Sequence, residues 1–299
     1  MVFVPLFTMI SIDPKDISTG RLHGHLLGAV TPRPIAFAST LDTNGNVNLS
    51  PFSFFNVFSA NPPILIFSPA RRGRDNTTKH TYENVLEVKE TVINIVNYEM
   101  VQQMSLASTE YPKGVNEFVK SGFTPVKSVK VSPPRVAESP VQMECVVKEV
   151  IELGKEGGAG NLVICEVVFL HINENILDEN GIIDQYKIDT VARMGGNWYT
   201  RSNMGMFEVP KPLTSLGIGY DQIPEKIRHS NVLTGNDLGM LGNIEQIPNK
   251  EEVEHFVQQN IEVRKVLSGA DMIEIHKLAQ KYLKNGDIVS AWKILLAEI

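Results

Sequence analysis

One stretch of the sequence decides the fold: TPRPIAFAST at residues 31–40, NLSPFSFFNVFSANPPILIFS at 48–68 and PARRGRDNTTKHT at 69–81. Short runs of aromatic and β-branched residues alternate here with Pro, Asn, Gly and Ser. This alternation is typical of short antiparallel strands joined by tight turns. The runs Ile35–Leu41 and Ile64–Ser68 therefore predict two strands.

A turn signal and further runs extend this β pattern. Asn44-Gly45 follows the first predicted strand and predicts a tight hairpin turn, because both residues adopt positive φ angles readily. Further strands are predicted at Val92–Val96, Val141–Leu153 and Asn161–Ile172, and helices at about Thr81–Glu90 and Glu99–Ser108. The segment GKEGGAG (154–160) between the last two strands is typical of a hairpin tip rather than of a phosphate-binding loop. Many short strands with few helices favour a barrel or a sandwich.

The chain changes in character near residue 212. Residues 213–236 show little periodicity, and amphipathic helical patterns follow them. The first of these patterns starts with a capping-box spacing at Asn249 and Glu252. The sequence therefore predicts a β domain over residues 1–212, and a connector with a helical C-terminal extension over 213–299.

The composition disfavours several classes of protein. The 299 residues are 42% hydrophobic and 21% charged, which is ordinary for a soluble globular protein. The formal net charge of −6 disfavours nucleic-acid binding, because phosphate backbones need a concentrated positive field. Apolar runs are too short to cross a membrane, so we expect a cytoplasmic protein with no nucleic-acid or membrane partner. The two cysteines, Cys145 and Cys165, cannot form a disulfide framework, and their spacing predicts no metal site.

The common motifs of catalysis and nucleotide binding are absent from the sequence. There is no GxGxxG after a strand, and no GxxxxGK[ST], GxSxG or HExxH. The basic loop at the end of the opening stretch stands out instead, with four cations against the single acid Asp75: Arg71, Arg72, Arg74 and Lys79. Hydroxyl groups and phenylalanines precede this loop. It is either a pocket for an anion such as a phosphate monoester beside a planar ring, or a solvated loop over an all-β core.

The opening stretch resembles a known family. The ordered segments TPRPIAFAST, NLSPFSFFN, NPPILIFS and KHT are similar to the flavin reductase-like family of FMN-binding split barrels, which includes flavoredoxin-like proteins. RMGGNWYTR at 193–201 is similar to the Gly-Gly-x-x-Tyr segment near the end of that domain. The resemblance spans about residues 20–205. It implies a mainly β fold, namely a six-stranded antiparallel Greek-key split barrel with a few helices. It also implies a homodimer that binds FMN near the subunit interface.

The resemblance also implies which residues bind the cofactor. The isoalloxazine ring would be lined by Ser50, Pro51, Phe52, Ser53, Phe54, Phe55 and Asn56. The phosphate would be held by Ser68, Lys79 and Thr81. The family usually has Lys-Asp-Thr where this sequence has Lys79-His80-Thr81. His80 is therefore a departure that removes a negative charge beside the expected phosphate.

Three further residues extend this predicted site. Arg33 and Arg72 are further cations for the phosphate, although Arg33 has a structural alternative, which is to hold the loop between its two flanking prolines. Trp198 would cover the flavin or the nicotinamide, or else complete the core. No metal is implied.

The function implied by the resemblance is that of an NAD(P)H-dependent flavin reductase, in which hydride passes from nicotinamide to N5 of FMN. The cofactor supplies this chemistry, so no catalytic acid–base pair is expected. The final electron acceptor would be flavin, another small molecule or a protein. Two alternatives stay open: an electron carrier of flavoredoxin type, reduced by a protein partner, and a non-catalytic FMN-binding protein whose C-terminal extension mediates assembly.

Overall fold

The structure is a computed structural model, and it describes residues 8–210, 216–269 and 271–297. The chain contacts divide it into two compact units, one from Ile10 to Phe207 and another that comprises residues 8–9 and the described residues from Glu208 onward. The strands predicted from the sequence lie in the first unit, and the amphipathic helical patterns predicted after residue 236 lie in the second.

The first unit contains the β structure. Its strands are β1 (Ala36–Leu41), β2 (Val47–Phe52), β3 (Phe55–Ala60), β4 (Pro63–Phe67), β5 (Glu90–Ile95), β6 (Pro125–Val126), β7 (Arg135–Val136), β8 (Val141–Glu152), β9 (Asn161–Ile172), β10 (Val191–Arg193) and β11 (Tyr199–Arg201). Its helices are α1 (Thr19–Ala29), α2 (His80–Glu87), α3 (Val101–Leu106), α4 (Glu117–Ser121) and α5 (Gln185–Ile188). Every run for which the sequence predicts a strand is confirmed as one, with bounds that differ by two residues at most.

Seven of these strands form one antiparallel sheet in the order β2-β1-β5-β8-β9-β4-β3. The expectation of six strands is therefore wrong by one. The run SPFSFFNVFSA at 50–60 does not form a single element, because β2 ends at Phe52 and β3 begins at Phe55. These two strands lie at opposite edges of the sheet.

The short link between β2 and β3 requires the sheet to curve into a barrel. Neighbouring strands lie about 4.8 Å apart, so the edges of a flat seven-stranded sheet would be separated by about 29 Å. The three Cα steps from Phe52 to Phe55 span at most about 11 Å. The sheet must therefore curl until its edges approach each other at Ser53 and Phe54, which gives an antiparallel, split-barrel-like fold.

Hydrophobic side chains cover both faces of β1. Phe37 packs in a cluster with Phe118 of α4, and Ala36, which points the other way, packs in a cluster with Phe67 of β4. Strands with both faces covered are buried along their whole length, as β1 is at five of its six residues. Both cysteines are buried as the strand pattern predicts, and burial raises the pKa of the Cys145 thiol to about 12.

The first hairpin turn differs from its prediction. Gly45 has a φ of +81°, as expected, but Asn44 does not have a positive φ. The carboxylate of Asp42 accepts the N–H groups of Asn44 (2.9 Å) and Asn46 (2.8 Å), and these bonds hold a wider loop. The turn is closed by a hydrogen bond from the Gly45 N–H to the Asp42 carbonyl (3.0 Å), so a positive φ is needed only at the glycine.

Helix α1 is not predicted by the sequence. Its eleven residues, TGRLHGHLLGA, include three glycines, each of which weakens helix propensity by about 1 kcal/mol relative to Ala, and none of its residues is buried. The Ser18 side chain caps its start by accepting the Arg21 N–H at 3.3 Å. Long-range contacts at its C-terminal end, described below, supply what the local sequence lacks.

The second unit is built from helices in its described residues. They are α6 (Glu225–Arg228), α7 (Gly235–Gly242), α8 (Lys250–Gln259), α9 (Ile261–Leu267), α10 (Met272–Lys284) and α11 (Ile288–Leu296). They pack around Trp292, which is fully buried and whose indole N–H donates to the Leu241 carbonyl at 3.0 Å. The predicted capping box at Asn249 and Glu252 is confirmed. Within the described ranges, no helix combines the length and the apolar character needed to cross a membrane.

Candidate functional site

A cavity of about 260 Å³ lies where the two edges of the curved sheet meet. The end of β2 and the link to β3 supply the segment Ser50–Phe54, and α1 supplies His23 and Leu27. The other lining residues follow β4 or lie on neighbouring loops: Ser68, Ala70, Lys79 and Ser108. The curvature of the sheet thus brings distant parts of the chain together around one space.

This cavity collects seven of the predicted cofactor-binding residues: Ser50, Pro51, Phe52, Ser53, Phe54, Ser68 and Lys79. Six others do not line it: Arg33, Phe55, Asn56, Arg72, Thr81 and Trp198. Phe55 packs against the hydrophobic core, and the Asn56 side chain accepts the N–H of Val57 at 2.8 Å. The cavity segment therefore ends where β3 begins.

The hydroxyl of Ser68 is held at the end of β4 by the start of β9. Its Oγ accepts the Asn161 N–H at 3.0 Å, and the Asn161 amide donates to the Pro69 carbonyl at 2.9 Å. A Cβ at Gly160 would lie 2.9 Å from this Oγ, closer than real contacts allow, so the close approach requires glycine. The last glycine of GKEGGAG therefore supports the cavity wall.

The tip of the β8–β9 hairpin backs the basic loop. The Arg71 N–H donates to the Ala159 carbonyl at 2.8 Å, and the Gly158 N–H donates to the Arg71 carbonyl at 3.0 Å. GKEGGAG is thus a hairpin tip, as predicted. Its backbone bonds fix the path of the basic loop beside the cavity.

The cations of the basic loop meet a carboxylate from another part of the chain. Glu110 lies 2.8 Å from Nε of Arg72, 3.1 Å from Nη2 of Arg74 and 3.5 Å from Nζ of Lys79. We call Arg72, Arg74 and Lys79 the cation cluster. Arg71 instead donates to Oδ1 of Asn76 (2.7 Å) within the loop. The sequence pattern, which balanced these cations against Asp75 alone, misses Glu110.

A smaller cavity of about 30 Å³ joins the cation cluster to the main cavity. It is lined by Arg72, His80 and Glu110, and it shares Ser50, Lys79 and Ser108 with the main cavity. The two spaces are therefore neighbours with common walls. One is bordered mainly by the Ser50–Phe54 segment, and the other by charged groups.

Helix α2 starts at this charged end. Lys79 is its N-cap residue and makes no side-chain cap, and its carbonyl accepts the N–H groups of Tyr82 (3.0 Å) and Glu83 (3.2 Å). Burial lowers the pKa of the His80 imidazole, which favours its neutral form. The Thr81 hydroxyl turns the other way and accepts the side-chain N–H of Asn48 at 2.8 Å. Position 80 thus carries an imidazole where the family that the sequence resembles usually has a carboxylate, and the acid in the first turn of α2 is Glu83.

Comparison with known proteins identifies the chain. The family model described as "Flavin reductase like domain" matches residues 27–192, more than half of the sequence. The chain belongs to this flavin reductase-like family. An uncharacterized protein of Aquifex aeolicus is 37% identical over 188 residues, which cover 63% of this chain and 93% of the relative.

Solved structures agree with the family and the fold. Nitrilotriacetate monooxygenase component B from Bacillus cereus is 30% identical, with a TM-score of 0.64, and the match covers 68% of this chain and all of that protein. A Shewanella frigidimarina protein with a split barrel domain is 26% identical, with a TM-score of 0.57, over 68% of this chain and all of its own. The flavin reductase-like domain therefore accounts for the first unit, and the family match ends before the second.

Within this flavin reductase-like domain, Arg33 joins α1 to the rest of the cavity wall. Its guanidinium is buried and donates to the carbonyls of Leu27 and Val30, both at 2.7 Å, and of Met194 at 2.8 Å. Its Nε also lies 3.4 Å from the Ser53 hydroxyl. Carbonyls at a helix C-terminus lack intrahelical donors, so Arg33 stabilises the end of α1. These partners correspond to the structural alternative for Arg33.

Trp198 lies in the turn between β10 and β11, and it is 78% exposed. It therefore does not complete the core, which was one of its two predicted roles. A Cβ at Gly195 in the same turn would lie 3.5 Å from Cα of Gly28, which is an ordinary contact distance. The turn thus lies against α1 at Gly28, and within it the position that favours glycine is Gly196, which has a φ of +58°.

Four residues that line the main cavity were not predicted from the sequence: His23, Leu27, Ala70 and Ser108. His23 and Leu27 lie on α1, for which the sequence carries no helix signal. The His23 ring stands edge-on to Phe54 with 6.2 Å between the centroids. Ser108 follows α3, and only the tertiary contacts of that loop place it at the cavity.

Proposed function

We propose that this protein is an NAD(P)H-dependent flavin reductase that binds FMN in the main cavity. The observation that carries the proposal is the pairing of two neighbouring spaces in a flavin reductase-like domain. One is bordered by the apolar and hydroxyl-bearing segment Ser50–Phe54, and the other by Arg72 and Lys79 of the cation cluster. FMN has the same two parts, a planar ring with a polar edge and a phosphate monoester. FMN is thus the form of flavin that the donor set fits best.

The Ser50–Phe54 segment suits the ring. Pro51, Phe52 and Phe54 offer apolar surface, and Ser50 and Ser53 offer hydroxyl groups. Phe52 is fixed by its packing against Phe67, with 5.5 Å between the ring centroids. A rigid apolar wall with a few polar groups is the usual composition of a small-molecule site.

The cation cluster suits the phosphate. A phosphate monoester carries about 1.5 to 2 negative charges near pH 7. It is bound most strongly by guanidinium and ammonium groups, and the cation cluster supplies both kinds. Lys79 lines both cavities and Arg72 lines the smaller one. The first turn of α2 adds the positive end of its helix dipole. The neutral His80 imidazole adds no opposing charge.

The chain needs no acid–base pair for the proposed reaction. When bound, the flavin supplies the hydride-accepting chemistry, and the residues of the chain bind and orient it. The cavity residues are hydroxyls, apolar side chains and cations, which serve binding and orientation. The electron donor would be NADH or NADPH, and the acceptor of the electrons a flavin, another small molecule or a protein.

We also propose that the functional form is a homodimer. β3 is an edge strand of the main sheet, and Val57 and Phe58 on it are each 63% exposed. Apolar side chains on an unpaired strand edge favour association with another chain, and a second copy is the commonest partner. β3 begins directly after Phe54, so a subunit bound along it would lie beside the cavity.

The test is the visible spectrum of the purified protein, followed by anaerobic addition of NADH or NADPH. We expect bound or added FMN to be reduced by at least one of these donors. Reduction by a protein partner alone would replace the proposal with a flavoredoxin-type carrier. FMN binding without any reduction would indicate a non-catalytic binding protein, and failure to bind FMN would overturn the proposal altogether.

A further inference from the structure

Glu110 occupies the centre of the cation cluster. Its carboxylate contacts Arg72 through Oε1 (2.8 Å), Arg74 through Oε2 (3.1 Å) and Lys79 through Oε1 (3.5 Å). These are the donors to which the proposed function assigns the flavin phosphate. One carboxylate therefore already satisfies part of the hydrogen-bonding capacity that a phosphate would use.

The Glu110 carboxylate is ionised at neutral pH. The hydrogen bond from Arg72 is the largest cause that holds the pKa of Glu110 below its ordinary value, and Arg74 and Lys79 add to it. Glu110 thus brings a full negative charge into the smaller cavity, whose walls it shares with Lys79 and Ser50. A phosphate that enters this space meets that charge at close range.

Arg72 does not depend on Glu110 for its orientation. Its Nη1 also donates to the Thr77 hydroxyl at 2.9 Å and to the Thr78 carbonyl. These bonds lie within the basic loop, which the hairpin tip holds by backbone bonds. Removal of the Glu110 charge would therefore leave the guanidinium in place, with its Nε free to bind another anion.

We propose that Glu110 limits the affinity of the site for the phosphate of FMN, so that the flavin binds as an exchangeable molecule rather than as a permanently held one. This inference rests on the proposed function. The carboxylate and the phosphate share the same three cations, and each weakens the hold of the other by like-charge repulsion and by competition for donors. Glu110 is in this sense a specificity-determining residue, because its effect falls on phosphorylated flavin and spares riboflavin.

The loop that carries Glu110 is suited to holding this carboxylate beside the cation cluster. Glu110 lies on the loop between α3 and α4, which also supplies Ser108 to both cavities. The same loop is joined to α2 by the ion pair of Lys113 with Glu83 at 3.2 Å. The loop thus stays anchored beside the cavity at a second point, whether or not Glu110 contacts the cation cluster.

The experiment compares the dissociation constants of FMN and riboflavin for the full-length wild type, E110Q and E99Q. The ratio of the riboflavin constant to the FMN constant isolates the contribution of the phosphate. In E110Q we expect this ratio to rise about tenfold, through tighter FMN binding and slower FMN release, with riboflavin binding unchanged. E99Q is the matched control, since it also removes one negative charge, and Glu99 acts on Arg201 instead. Its ratio should equal that of the wild type.

The outcomes separate the inference from the proposed function. If E110Q leaves the ratio unchanged or lowers it, Glu110 does not compete with the phosphate and the inference is overturned, while flavin binding by the wild type still supports the proposed function. If the wild type binds neither FMN nor riboflavin, both fail together. Equal losses of FMN and riboflavin affinity in E110Q would indicate a collapsed cavity, and they would also overturn the inference, which requires the cavity to stay intact.

Discussion

Asn48 and Thr81 join the second strand of the barrel to the helix that borders the site: the side-chain N–H of Asn48 donates to the Thr81 hydroxyl at 2.8 Å, and both residues are buried. This bond fixes the start of α2, and with it Lys79 and His80, relative to β2. It gives Thr81 a positioning role.

Substitution of Thr81 tests this role. T81V keeps the shape of the side chain but leaves the buried Asn48 amide without its acceptor, so we expect the free energy of unfolding to fall by about 1–3 kcal/mol. T81S keeps the hydroxyl and should lose less. Urea denaturation of both variants measures the difference. Equal stability of T81V and the wild type would show that the bond contributes nothing.

Lys79 is the cation common to both cavities, and its removal should affect phosphorylated flavin selectively. We expect K79A to bind FMN about tenfold more weakly and to bind riboflavin as the wild type does, because only the phosphate loses a charged donor. Titration of each flavin by fluorescence quenching gives both constants. The matched control is K148A, since Lys148 forms its ion pair with Glu166 on the β8–β9 hairpin (3.0 Å). A similar loss of FMN affinity in K148A would show that net charge, rather than position, is responsible.

Arg33 should matter for the stability of α1 more than for the phosphate. R33K retains the positive charge, but the lysine ammonium cannot donate to the carbonyls of Leu27, Val30 and Met194 at once, as the planar guanidinium does. We expect faster amide hydrogen exchange over residues 19–30 and a free energy of unfolding lower by about 2–3 kcal/mol. Hydrogen exchange followed by mass spectrometry locates the change. Unaltered exchange in α1 together with weakened FMN binding would instead make Arg33 a direct phosphate ligand.

The exposed edge of β3 predicts the oligomeric state. We expect the wild type to be a dimer in light-scattering measurements, and F58K to shift it toward the monomer, because a charge at an apolar interface is costly. V119K serves as the control, since Val119 is also exposed (78%) but lies on α4, which packs against β2 at the other edge of the sheet. A monomeric wild type, or a dimer that F58K leaves intact, contradicts the proposed interface.

The sequence predicted much of the fold because strands and turns leave local signals. The β8–β9 hairpin matches its predicted bounds almost to the residue, since two β-branched runs enclose a glycine-rich tip. The residues of the cavity segment, Ser50–Phe54, were recognisable from their order in the chain. The break between β2 and β3 was not recognisable, because SPFSFFNVFSA carries no turn signal where the chain passes from one edge of the sheet to the other.

The sequence by itself determined five strands of the main sheet, the capping box at Asn249 and Glu252, and the family, because each depends on residues close together in the chain. The tertiary structure decided the rest of the site. It brought Glu110 onto Arg72, 38 residues away along the chain, and it gave Arg33 the carbonyl of Met194, 161 residues away. It also formed α1 over the cavity despite its three glycines. Charge pairing and helix stabilisation of this kind depend on contacts that exist only after the sheet has curled, so no local pattern encodes them.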